Sequence, residues 1–139
     1  MSLKRNTWPT ALIICSLAAP TLADSNPEMD KFFANEQNLK GFELATANGQ
    51  MAKGREKMLS ACRQAKQKKP ALNCDCWQTE MDKISDKEFF FESVLAYRQY
   101  KERVQALQEK DKEKFERLKK AHAQRIGLSK RIDQTCGKS

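Results

Sequence analysis

A chain of 139 residues with 26 Lys and Arg against 18 Asp and Glu, a formal charge of +8, has the size of one small domain. It holds no Gly-rich phosphate loop, no H-E-x-x-H, no G-x-S-x-G and no C-x-x-C-H. The usual sequence marks of P-loop enzymes, zinc proteases, serine hydrolases and c-type haem attachment are therefore missing.

The first predicted element is a cleavable secretory signal. Lys4 and Arg5 precede an apolar stretch, Ala11 to Ala19, followed by Pro20 and the small-residue run Thr21-Leu22-Ala23. Charge, short apolar core and small residues at the −3 and −1 positions are what a signal peptidase recognises. The core of roughly 9 to 12 residues falls short of the about 20 that span a bilayer, so no transmembrane anchor is expected after processing. Cys15 lies inside that core behind the bulky Ile14, which does not suit a lipoprotein site. Cleavage near Ala23 leaves 139 − 23 = 116 residues with 24 bases and 18 acids, a charge of +6. The expected location is periplasmic or secreted.

Residues 24–42 read as an N-terminal arm or a short helix. Ser25 or Asn26 serves as cap, Pro27 stands at the first position, Met29, Phe32, Phe33 and Leu39 follow, and Gly41 ends it. A disulfide-stapled helical domain is expected over 43–139. Its first helix spans about 43–68, with Leu44, Ala47, Met51, Met58, Cys62 and Ala65 on one face and Asn48-Gly49 inside the helical pattern. Pro70 stops it. Asn73 or Asp75 caps a short helix carrying Trp77, Met81 and Ile84, and Ser85 or Asp86 starts a longer one. The expected core stripe of that longer helix is Phe90, Val94, Tyr97, Val104 and Leu107.

Residues 108–114 carry no apolar side chain, and a break with Asp111 as cap is favoured there. An unbroken helix from 86 to 126 would run about 60 Å. Phe115, Leu118, His122 and Ile126 continue on the far side, Gly127 is the expected C-cap, and Ser129 starts a last turn ending at Cys136. No segment alternates with the period of a strand. The expectation is an all-α bundle of four or five helices.

Removing Cys15 with the signal leaves Cys62, Cys74, Cys76 and Cys136, an even number that predicts two disulfides in an exported chain. Four cysteines admit three pairings. An antiparallel pairing of the helices around 44–68 and 76–84 favours Cys62 with Cys76, or else with Cys74, leaving the other for Cys136. Two chemical readings compete with this scaffold. Cys74 and Cys76 form a thiol-redox pair, or thiolates with Met51, Met58 or Met81 hold copper. No cofactor is expected on the scaffold reading.

His122 is the only histidine, and its position on the stripe with Leu118 and Ile126 reads as packing. The three successive phenylalanines at 89–91 sweep about 200° of helix surface and cannot share one narrow stripe. One packs on the N-terminal arm or another helix, and otherwise Phe89 or Phe91 marks an exposed partner surface. Residues 53–69 hold Lys53, Arg55, Lys57, Arg63, Lys66, Lys68 and Lys69 against Glu56 alone. Nucleic acid is not expected as a partner of an exported chain. The functional expectation is therefore a non-enzymatic protein that binds an envelope protein or an anionic envelope surface, or inhibits a toxin-like enzyme. Lys53, Arg55, Lys57, Arg63, Lys66, Phe89 and Phe91 are the candidate contacts.

Overall fold

The computed structural model describes residues 26–137; the signal segment expected over 1–23 lies outside them. Among the described residues there are seven helices and no strand. They are α1 (Pro27–Phe33), α2 (Glu36–Ala47), α3 (Gln50–Lys66), α4 (Cys74–Asp82), α5 (Asp86–Gln108), α6 (Lys112–Gln124) and α7 (Leu128–Cys136). The all-α class and the two disulfides stand, with seven helices in place of four or five.

The extra helices come from local chemistry at the joints. Asn26 caps α1 as expected, its side chain accepting from the Glu28 and Met29 amides. Asn35 does the same for α2 through Gln37 and Asn38, dividing what read as one element. Gly41 does not end a helix but sits inside α2. The helix expected over 43–68 is broken at Gly49, whose φ of 66° is a left-handed conformation that glycine adopts without a Cβ penalty. Ser85 caps α5 and Asp111 caps α6, so the break favoured in 108–114 is present.

Gly127 is not a C-cap. Its backbone is extended at the start of α7, a full helix of nine residues where a last turn was expected.

Two apolar centres hold the helices together. One gathers Met51 of α3, Met81 of α4, Phe89 of α5 and Leu128, Ile132 and Cys136 of α7. Met58 and Trp77 pack against it. Two of the methionines weighed as copper ligands, Met51 and Met81, are thus buried core residues. The other centre is aromatic. Phe32 meets Phe91 edge to face at 5.2 Å, and Phe90 lies against Phe33 and Phe42 at 6.3 and 5.6 Å. Offset and edge-on ring contacts of this kind add about 0.5–1.5 kcal/mol each beyond the area they bury. Through them α1 and α2 dock on α5.

The apolar stripe expected to be buried on α5 is the wrong one for its distal half. Phe89, Phe91, Glu92 and Ala106 are buried, whereas Tyr97 is 61% and Leu107 56% exposed. Glu92 and Ala106 share the flank that also carries Arg103, against which α6 lies, while Phe89 packs on Gly54 and Arg55 of α3. The reason is tertiary: α6 and α7 bring Arg125, His122 and Leu128 to that flank, and their polar groups match Glu92 and Arg103.

Candidate functional site: the basic helix and its neighbours

The positive charge of the chain is concentrated on α3 and the turn after it. Residues 53–69 hold seven bases and one acid, a net +6, while the remainder of 24–139 holds 17 of each sign. The whole positive excess of residues 24–139 therefore lies in seventeen residues.

These seven cations are not equivalent. Arg55 shares the inward face of α3 with Met51, Met58 and Cys62, at the i+4 and i+7 spacings of one helix face. Its guanidinium donates to the Met81 and Ile84 carbonyls at 2.7 and 2.8 Å and to the Asp86 carboxylate at 2.8 Å. It also lies over the Phe89 ring at 4.7 Å. Those bonds satisfy carbonyls at the end of α4 and tie α3, α4 and α5 together. Arg55 is a clamp, so its expected role as a surface contact is corrected. Arg63 pairs with Glu56 at 3.2 Å on the surface, an interaction of small worth.

Lys53, Lys57, Lys66, Lys68 and Lys69 are exposed. None of them meets a carboxylate within ion-pair distance among the described residues. Lys53 and Lys57 stand one turn apart, about 6 Å, on the outward face.

Phe89 and Phe91 fail as surface contacts because both are buried, at 3% and 0% exposure. The exposed aromatics of α5 are Tyr97 and Tyr100.

All four cysteines among the described residues are bonded, Cys62 to Cys74 and Cys76 to Cys136. The favoured Cys62–Cys76 pairing is thus replaced by its alternative. Positions i and i+2 of a helix face different ways, so Cys74 at the start of α4 turns to α3 while Cys76 turns to α7. Neither carries a thiol in this arrangement.

His122 is half-buried between α6 and α5. Arg103 has only donors and lies 3.1 Å from His122 Nδ1, so that nitrogen accepts. Nε2 carries the proton and donates to Glu102 at 3.0 Å. At the same corner Lys114 and Gln105 hydrogen-bond Glu109 and hold its carboxyl below the usual range.

Sequence reasoning passed over Glu92. It is buried in the N-terminal third of α5 and accepts from both Arg125 nitrogens, at 2.8 and 3.1 Å, and from the Leu128 amide at 3.2 Å. The Leu128 contact supplies the N-terminal cap that Gly127 lacks. Glu92 in turn raises the Arg125 guanidinium above its ordinary value. The available signal was an acid on the same helix flank as Phe89, Ala96 and Ala106.

Beside α3, two adjoining hollows of about 300 and 340 Å³ share Met58 and Ser129 and form a groove against α5 and α7. Its apolar walls are Ala61, Ala65, Leu72, Trp77, Ala96 and Leu128, and charged groups of both signs line it too, Lys69, Arg125 and Lys130 with Glu92 and Asp133. The arrangement offers an open, largely apolar channel bordered by charges of both signs. Among the described residues, no group of three or more His, Cys, Asp or Glu is placed to hold a metal ion.

No family model, curated protein or solved structure matches the chain.

Proposed function

We propose that this protein is exported, to the periplasm if the cell is Gram-negative, and acts there by binding an anionic component of the envelope through α3. One observation carries the reading: the entire charge excess sits on α3 and its closing turn, and five of its lysines are exposed without an acidic partner. Cations held one turn apart repel each other, and a surface of multiple negative charges relieves that repulsion. Two disulfides fit an oxidising compartment. No helix among the described residues is long and apolar enough to cross a membrane. A thiol-redox or copper role is disfavoured, because Cys74 and Cys76 are each bonded to a distant element rather than to each other.

The test is co-sedimentation with vesicles of phosphatidylglycerol and of phosphatidylcholine. Binding is expected only to the anionic vesicles. Reversal of Lys53, Lys57 and Lys68 to Glu is expected to weaken it by about 100-fold or more, each basic residue near such a surface contributing about 1 kcal/mol. About 0.5 M salt shortens the Debye length to about 4 Å and releases the protein. The same reversal of Lys112, Lys119 and Lys120 on α6 serves as control. An equal loss from the control, or no binding to anionic vesicles, would overturn the reading.

A further inference from the structure

The longest helix leaves its most regular apolar row bare. On α5, Tyr97, Tyr100, Val104 and Leu107 recur at intervals of three, four and three, the spacing by which one helix packs along another. The proximal continuation of the same helix is covered, since Phe90 lies among Phe33 and Phe42 of α1 and α2. Beyond it nothing takes over. Tyr97, Tyr100 and Leu107 are 61%, 56% and 56% exposed. α6 does not cover the row, because it packs on the flank of Arg103 and Ala106, whose midline lies roughly 110° from that of the row at 100° per residue. A shallow depression of about 570 Å³ runs along the bare face between Tyr97, Lys101, Val104 and Gln108.

The spacing itself indicates what covers this face. Three, four, three reads the same in both directions, so the row is its own match when a second copy lies antiparallel on it. With a twofold axis beside residue 102, Tyr97 of one copy faces Leu107 of the partner subunit, and Tyr100 faces Val104 of the partner subunit. Each large ring then meets an aliphatic side chain rather than another ring, and both pairs occur twice, as an isologous interface requires. We propose that the protein forms an antiparallel homodimer through the distal half of α5.

The dimer is weak. Ten residues of helix span about 15 Å and present a strip about 10 Å wide. The area per copy is therefore well under the roughly 800 Å² of a standard interface. Interfaces below about 1,200 Å² belong to weak, transient encounters, so a dissociation constant in the micromolar range is expected.

Sedimentation velocity of the purified protein from about 5 to about 500 µM brackets that constant. A monomer at the low end that becomes a dimer at the high end is expected. Tyr100→Glu and Leu107→Glu are each expected to raise the dissociation constant at least tenfold. Both residues are exposed, so the helical circular dichroism stays the same. Leu44→Glu, at an equally exposed leucine on α2, leaves dimerisation unchanged. A benzoylphenylalanine placed at position 100 is expected to cross-link to residues around 104 of the other chain. A monomer throughout the range, a dimer indifferent to both α5 variants, or cross-links from 100 to 100 would each overturn the proposal.

Discussion

Glu92 and Arg125 show how one residue pair decides a local structure. A carboxylate this buried is costly unless its lone pairs are filled, and here two bonds from Arg125, a longer one from Arg131 and one backbone amide fill them. Glu92→Gln keeps the shape but loses the charge and turns a donor towards a donor. A loss of about 2–4 kcal/mol is expected by urea denaturation, below the usual buried-pair figure because Arg125 is partly exposed. Glu88→Gln removes an equally short contact, with Arg131 at 2.7 Å, but both side chains are substantially open to water. It is expected to cost under about 1 kcal/mol by the same measurement. If the two variants were equally destabilising, burial would not be what gives Glu92 its weight. His122 makes a second residue-scale prediction. Nitrogen chemical shifts at neutral pH should show the Nε2–H tautomer, since Arg103 cannot accept from Nδ1. Little of this was readable from sequence, because the partners lie about twenty to forty positions away. A lone acid or histidine on an apolar stripe looks the same whether it is exposed or capped by distant groups.

The joints between elements were the legible part. Asn26, Ser85 and Asp111 each cap where turn chemistry places them, and the apolar-free stretch near 110 does break the chain. The glycines were harder, because a glycine in a helical pattern marks either a break or a close approach. Gly49 proved to be the break and Gly54 the close approach. A Cβ on Gly54 would stand 2.8 Å from the Phe89 ring, which is pinned beneath Arg55. A Cβ on Gly41 would meet Phe90 at an ordinary 3.5 Å. The two Ala substitutions should therefore differ in sign. Gly41→Ala is expected to stabilise by up to about 1 kcal/mol through helix propensity. Gly54→Ala is expected to destabilise by about 1–2 kcal/mol, overpacking outweighing the same propensity gain. Thermal melts of both variants check this, and a stabilised Gly54→Ala would contradict the close packing. The buried face of α5 was misread for a related reason. Three consecutive phenylalanines supply an apolar start to either face, and the face is chosen by α6 and α7, whose sequences do not announce where they will lie.

At the scale of the molecule, the number of cysteines was enough to predict two bridges but not their pairing. The pairing depends on which side of α4 each cysteine occupies, and that follows from where its helix begins. The two bonds differ in reach, closing separations of 12 and 60 residues. In the chain-entropy model those loops contribute about 3 and about 4 kcal/mol. Replacing both Cys76 and Cys136 by Ser is therefore expected to lower the urea midpoint more than replacing both Cys62 and Cys74. It also removes the covalent tie of α7 to α4, leaving α7 held by its apolar contacts, the Trp77–Asp133 bond and the Leu128 and Arg131 bonds to α5. An equal shift from both double variants would argue that strain or residual structure, not loop length, sets the contribution. The concentration of charge on α3 was visible in the sequence from the start. What the sequence did not reveal is that Arg55, in the middle of that block, turns inward.

Among Cys62, Cys74, Cys76 and Cys136 the pairing is consecutive, first with second and third with fourth. A chain exported as proposed, threaded through a translocation pore N-terminus first, delivers Cys62 and Cys74 together, well before Cys136 emerges. Cys76 follows Cys74 so closely that the order of oxidation is decided by which of the two is turned towards Cys62 as α3 and α4 meet. An oxidase that joins thiols as they arrive then makes the native bonds without any later shuffling, and cells lacking a disulfide isomerase should still accumulate the correctly bridged protein.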